Sequence, residues 1–289
     1  MRSPLMRILF TAALAAGLIS GACAHAASIP EGADEQEVDL GGTQLDVFTY
    51  RPASCANPAL LLVFHGLNRN ADKYRDYAQP IADKHCMIIV APLFDDERFP
   101  SWRYQRGGVV KKHTVQSQSS WTFRYVADLI DWAQRQERRP LDVYMIGHSA
   151  GGQFLSRLAA FFPNSARRIV IANPSTHVFP DLDTAAPFGF GGVYPRGNDV
   201  SNLQRYLATP VTIFIGAEDT GDKDRNDSPE ARDQGVTRAD RGRNAFAAGR
   251  AMAQSRGWAF NWRLVELSGV GHSSRKMFGS EQALEALLP

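Results

Sequence analysis

Excess charge of either sign is missing from this chain: 32 Lys and Arg stand against 30 Asp and Glu in 289 residues. Arg2 and Arg7 carry the surplus, so from residue 27 onward no net field points to nucleic acid as a partner. Cysteine is scarce, at positions 23, 55 and 86 only, which leaves room for a single intramolecular disulfide. No internal repeat, low-complexity tract or linker rich in Pro, Gly or Ser divides residues 27–289, and they are read as one domain. Nor does any apolar run reach the roughly 20 residues that a permanent membrane span needs. What is present is ordinary globular material. Apolar side chains make up 44% of the chain, enough at this length for a sizeable core.

The N-terminus begins MRSPLMR, continues through the apolar run Ile8 to Ile19 and closes on Ala24-His25-Ala26. A basic start, a short apolar core and an A-x-A close describe an export signal over residues 1–26, so the mature chain is expected in the periplasm or secreted, without a stable membrane anchor. Ser20 stands where a lipid-attachment site carries an aliphatic residue, which argues against lipidation at Cys23. Cleavage after Ala26 leaves Cys55 and Cys86. Each precedes an apolar run, and if those runs are neighbouring parallel strands both sulfurs fall at the same end of the sheet, where an exported chain would join them.

Residues 37–50, EVDLGGTQLDVFTY, alternate as a hairpin does, with Gly41-Gly42 at the turn. The pattern then changes. LLLVF, MIIVA, VYMIG, IVIAN and VTIFIG are short continuous apolar runs, the mark of strands covered on both faces. Helix-length segments lie between them at 71–84, 122–138, 152–162 and 243–256, and FNWRLVEL and GSEQALEALL supply a last strand and helix. This alternation predicts an α/β fold: a doubly wound, mostly parallel sheet of about eight strands with helices on both faces. Residues 94–120, 173–207 and 220–241 read as long loops, the kind that carry function at the carboxyl edge of such a sheet.

Gly147-His148-Ser149-Ala150-Gly151 has the form G-x-S-x-G between a strand and a helix. That context places the serine on a cramped bend at the carboxyl edge and aims the Ala150 amide at the same space from a helix N-terminus. A serine hydroxyl needs a base, and the base a carboxylate. Downstream only His177 and His272 are available, and His272 alone follows the candidate acids, in the flexible loop GVGHSS. Glu218, Asp219, Asp222 and Asp224 follow the VTIFIG strand; Asp219, just past its end, is the favoured acid and Asp222 its main rival. The second oxyanion donor is expected at Leu67 after His65-Gly66, with His65 itself a buried structural residue.

With HG after an early strand, GHSAGG at the centre, GAED after a late strand and GVGH near the end, the chain resembles the α/β-hydrolase superfamily, and within it secreted esterases akin to feruloyl esterases and poly(3-hydroxybutyrate) depolymerases. The resemblance covers essentially the whole chain after residue 26. It implies catalysis by Ser149, Asp219 and His272, an oxyanion hole at Leu67 and Ala150, no cofactor, and carboxylic esters as substrates. The depolymerases usually carry a cysteine soon after HG; here Leu67-Asn68-Arg69-Asn70 follows, which points to a soluble ester or short oligoester. An amidase or peptidase with the same residues, and a catalytically silent binding protein on the same fold, are the alternatives.

Two loops are candidates for recognition. Residues 99–113 mix Trp102 and Tyr104 with Arg103, Arg106, Lys111 and Lys112, which suits a negatively charged or aromatic acid, or else a surface loop. Trp102, Tyr104, Arg106 and His177 are the candidate substrate contacts. Pro187 to Pro195, PFGFGGVYP, is a pocket wall, a lid or simple packing. Asp222, Asp224 and Asn226 begin like a calcium loop, but Asp227 and Asp233 break the pattern where glycine and glutamate belong, so no metal is expected.

Overall fold

The computed structural model describes residues 28–195 and 197–288; the export signal expected over residues 1–26 lies outside them. The chain opens with the antiparallel hairpin β1 (Gly32–Asp39) and β2 (Gln44–Arg51), closed at Asp39 opposite Gln44 by Gly41 and Gly42. There follow β3 (Ala59–Phe64), α1 (Ala71–His85), β4 (Met87–Pro92), a two-stranded ribbon of β5 (Val110–Lys111) and β6 (Thr114–Val115), α2 (Arg124–Glu137) and β7 (Val143–His148). The second half runs α3 (Ala150–Phe161), β8 (Arg168–Ala172), α4 (Asp199–Ala208), β9 (Val211–Gly216), α5 (Pro229–Gln234), α6 (Arg238–Arg256), β10 (Arg263–Leu267), α7 (Ser274–Phe278) and α8 (Glu281–Leu287).

The main sheet has eight strands in the order β1-β2-β4-β3-β7-β8-β9-β10. From β4 to β10 every pair is parallel, and only β2 runs against the rest, antiparallel to both β1 and β4. β3 shows why the strand runs lack polar alternation. Leu60, Leu62 and Phe64 enter one core and Leu61 and Val63 the other, so both faces are covered. On the first face lie α2, α3, α4 and α6, and α2 turns Val126, Leu129 and Ala133 inward at helical spacing. On the second lie α1, α7 and α8, with Tyr74, Ala78 and Ile81 of α1 against the sheet.

Cys55 and Cys86 form a disulfide with Cα atoms 5.2 Å apart. Because Ala59 pairs with Met87, the bridge ties together the segments entering β3 and β4 at the amino end of the sheet, away from the carboxyl edge.

Three boundaries differ from the sequence reading. The 173–207 stretch contains α4, whose Leu203, Tyr206 and Leu207 are buried at spacings of three and four. The 220–241 stretch contains α5 and the first turn of α6, which starts at Arg238 because Thr237 caps it: the Thr237 hydroxyl accepts from the Asp240 amide at 3.0 Å and the Asp240 carboxylate accepts from the Thr237 amide at 3.1 Å. The last strand begins at Arg263 rather than at Phe260, since Trp262 turns its indole to the Tyr206 carbonyl. The glycine-rich loop at 187–195 is packing: Phe190 is buried against Phe161 and Tyr206.

After β4 the chain crosses back over β3 to reach β7. The loops leaving β3 and β7 therefore diverge from adjacent strands, and the crevice between them opens at the carboxyl edge, where doubly wound sheets bind ligands.

Candidate active site

Ser149 occupies that crevice. It joins β7 to α3 with φ 57° and ψ −112°, a conformation an ordinary side chain avoids. Its amide donates to the Ala172 carbonyl of β8 at 2.9 Å, which pins the bend. Three glycines make the bend sterically possible. A Cβ on Gly147 would stand 2.6 Å from the Gly151 carbonyl, one on Gly151 would fall onto the Phe64 carbonyl, and one on Gly152 would lie 2.7 Å from the Ala172 oxygen. Close backbone packing thus fixes the bend that carries the Ser149 side chain.

His272 reaches it from the loop between β10 and α7. Its Nε2 lies 3.0 Å from the Ser149 Oγ and its Nδ1 2.6 Å from the Asp219 Oδ2. The loops bearing the acid and the imidazole are stitched together, the Ala217 amide donating to the Leu267 carbonyl at 2.9 Å and the Glu218 amide to the Val270 carbonyl at 3.0 Å. Asp219 is buried, whereas its rival Asp222 is exposed. Farther along, Asp227 pairs with Arg225 at 2.9 Å, and among the described residues no group of three or more His, Cys, Asp or Glu could hold a metal ion.

Sequence reasoning missed Arg238. Its guanidinium is buried and donates to the Asp219 Oδ1 at 3.3 Å, to the Gly221 carbonyl at 3.1 Å and to the Lys223 carbonyl. One carboxylate oxygen therefore faces an arginine and the other faces His272. The signal was legible: Thr237-Arg238-Ala239-Asp240 is a capping-box pattern, which starts a helix at Arg238 and delivers its side chain to the acid loop.

Leu67 lines the cleft, and Ala150 takes the first position of α3. Neither amide donates to an acceptor among the described residues, as expected of an amide in the first turn of a helix and of one in an open loop. Gly66 approaches Ser149 so closely that a Cβ there would stand 3.9 Å from the serine Cβ and 2.5 Å from the Tyr74 hydroxyl. His148, between Gly147 and Ser149, packs its ring 4.5 Å from that of His272 and meets the Tyr74 hydroxyl at 3.3 Å through Nδ1. Burial first, and then the charges of His272 and Arg238, hold its imidazole well below the usual histidine range, so it is neutral.

Ser149 and His272 open onto a cleft of about 310 Å³. Its walls are mostly polar, with Asn68, Asn70, Gln105, Gln153 and Arg275 among them. None of the four expected substrate contacts lines the cleft. Tyr104 is fully buried, donating to the His65 carbonyl at 2.8 Å under the Arg69 guanidinium, because the loop turns its aromatic side chain inward and its neighbour Gln105 toward the cleft. His177 is 1% exposed, clasped by Gln234 through its amide at 2.9 Å and its carbonyl at 2.8 Å. Trp102 and Arg106 are half-buried and do not line the cleft; Lys111 lies over the Trp102 ring and Arg106 over Phe188.

Known proteins carry this arrangement further. A family model described as alpha/beta hydrolase fold matches residues 59–199. Poly(aspartic acid) hydrolase-1 from Sphingomonas sp. KT-1 is 30% identical, with a TM-score of 0.82 over 89% of this chain and 99% of that one. The chain belongs to the α/β-hydrolase family. Another structure similar to this hydrolase is LpqC, a poly(3-hydroxybutyrate) depolymerase from Bordetella parapertussis, at 31% identity and a TM-score of 0.82 over 90% of this chain and 94% of that one. The siderophore hydrolase EstA from Aspergillus nidulans, 12% identical with a TM-score of 0.52 over 96% and 99% of the two chains, shares the fold alone. No curated protein sequence matches the hydrolase closely enough to count as a relative.

Beneath the hydrolase's cleft, buried histidines set a pH dependence. His65 is clamped between the Gly66 carbonyl at Nδ1 and the Phe94 amide at Nε2. Burial, with the Arg69 charge adding to it, pushes His65 down to about 3; burial, with the charges of Arg157 and Arg241, pushes His177 down to about 3 as well. The unfolded chain takes up these protons near pH 6.5, while the folded chain refuses them until about pH 3. Stability is therefore full above pH 6.5 and falls as the pH drops through that window, by about 1.4 kcal/mol per pH unit for each ring. His65 and His177 together should make urea unfolding at pH 5 weaker than at pH 7 by about 4 kcal/mol, with neutral His148 adding in the same direction; equal stabilities would mean that the folded protein accommodates imidazolium at these positions.

Proposed function

We propose that this hydrolase cleaves carboxylic esters, small or oligomeric, through an acyl-enzyme on Ser149. The observation that carries the reading is the hydrogen-bonded relay from Ser149 Oγ to His272 to Asp219, at 3.0 and 2.6 Å. His272 takes the hydroxyl proton as Oγ attacks the ester carbon, and Asp219 orients the imidazolium that forms. The tetrahedral oxyanion is received by the Leu67 and Ala150 amides, each worth about 3 kcal/mol of transition-state stabilisation. His272 then protonates the departing alcohol. Water, activated by the same ring, releases the acid. Neutral His148 lets that ring become cationic without a second positive charge against it.

Residues 27–289 act as one catalytic domain after removal of the segment 1–26, in the periplasm or outside the cell. The Cys55–Cys86 disulfide supports an oxidising compartment, and among the described residues no helix is long and apolar enough to cross a membrane. The Sphingomonas relative, a poly(aspartic acid) hydrolase by name, favours a second reading in which the same relay cleaves amides. A fluorophosphonate should label Ser149, and turnover of p-nitrophenyl butyrate should exceed that of peptide anilides. Absence of an adduct would leave a silent binding protein; turnover of anilides alone would reverse the order of the two chemistries.

A further inference from the structure

Among the described residues that line the Ser149 cleft, Arg275 is the one cation. It stands on α7, three residues after His272, and is exposed. Its guanidinium makes no hydrogen bond or ion pair among the described residues. Four nearby arginines are already occupied. Arg238 holds Asp219, Arg225 holds Asp227, Arg69 holds Asp96, and Arg241 donates to the Ser175 and Asn226 carbonyls.

A second positive charge lies behind the cleft floor. Arg157 is buried without any carboxylate partner; its guanidinium donates to the Thr176 hydroxyl at 2.8 Å, and that hydroxyl donates at 2.9 Å to Gln153, which lines the cleft. Burial lowers the Arg157 guanidinium to about 9, which still leaves it charged at neutral pH. Opposing these cations, Asp224 lines the cleft and Asp219 is spent on Arg238 and His272. The balance around the reacting carbon therefore favours an anion, and the free planar fork of Arg275 matches a carboxylate.

We propose that Arg275 is a carboxylate-recognition subsite, and that the substrates are esters bearing a free carboxylate a few bonds from the scissile carbonyl. Half-esters of dicarboxylic acids and the acid-terminated ends of short oligoesters have this chemistry. The inference rests on the ester-hydrolase reading above. In the reaction water supplies OH to the acyl carbon and a proton to the alkoxy oxygen, the ester C–O bond breaks, and an acid and an alcohol leave; the recognised carboxylate is unchanged.

Two nearly isosteric pairs test it on the full enzyme: monomethyl glutarate with methyl pentanoate, which puts the charge on the acyl side, and 4-acetoxybutanoate with pentyl acetate, which puts it on the alcohol side. The quantity read is kcat/KM for the anionic member divided by that for its neutral partner. In at least one pair, Arg275→Gln should lower this ratio about tenfold, chiefly through KM, and Arg275→Lys should restore part of it. Asp224→Asn should raise the ratio, and added salt should shrink it in the wild type. Ratios unchanged by Arg275→Gln in both pairs would overturn the subsite while leaving ester hydrolysis standing. Wild-type enzyme inert on all four esters, and on p-nitrophenyl butyrate, would remove the ester reading and the subsite with it.

Discussion

Ser149→Ala should reduce turnover of p-nitrophenyl butyrate by about 10⁴-fold or more, with no comparable loss of fold. The size follows from the relay. On the proposed acyl-enzyme route, loss of Oγ leaves only the help that the Leu67 and Ala150 amides and the bound orientation would give to water. The substitution removes one oxygen from a side chain whose neighbours on the bend are backbone, and it keeps the Cβ at φ 57°, so the elbow is neither relieved nor newly strained. His272 stays hydrogen-bonded to Asp219 at 2.6 Å. Kinetics on the variant, paired with its thermal unfolding curve, check the expectation. A variant retaining a tenth of the activity would put the nucleophile elsewhere.

The second large effect concerns the buried pair behind the imidazole. Asp219→Asn should lower kcat by about 10³- to 10⁴-fold, because an amide neither fixes the imidazole tautomer nor stabilises the imidazolium. It should also destabilise the fold, because Arg238, 2% exposed, is left charged without its counterion. Breaking such a pair costs about 3–5 kcal/mol, and Arg238→Met should also destabilise, though by less, because buried Asp219 keeps His272 as a partner. The double variant removes both charges, so its loss should be smaller than the sum of the single losses. Activity follows a different rule: the double variant stays as inactive as Asp219→Asn, since no carboxylate faces His272. Denaturant unfolding of the four proteins measures the coupling. Additive losses would mean that the two groups are not a pair in solution, and activity regained in the double variant would remove Asp219 from the relay.

Much of the architecture was written locally. Continuous apolar runs report strands buried on both faces, and β3, β4, β7, β8 and β9 appear within a residue or two of LLLVF, MIIVA, VYMIG, IVIAN and VTIFIG. The glycines around Ser149 report a bend that only residues without a Cβ can line. Where the reading fell short, the local signal was weaker or was overruled. α4 hides in a polar stretch with three inward residues, and the first turn of α6 rests on a cap four residues long. Tyr104 carries every feature of a ligand contact in an aromatic and basic loop, yet packs under Arg69 because burying its ring and satisfying its hydroxyl at the His65 carbonyl outweighs display.

The sequence by itself determined the parallel sheet, the cramped serine bend, the positions at which an acid and an imidazole could follow, and the neighbouring amino-end cysteines. These depend on periodicity and on steric limits among residues close in the chain. Only the tertiary structure decided that His272 meets a hydroxyl 123 positions away, that Arg238 holds the far oxygen of Asp219, and that Gln105 and Arg275 rather than Tyr104 and His177 face the cleft. Such pairings arise when strands from distant parts of the chain are brought side by side, and the choice between interior and cleft is settled by burial free energy summed over the whole core.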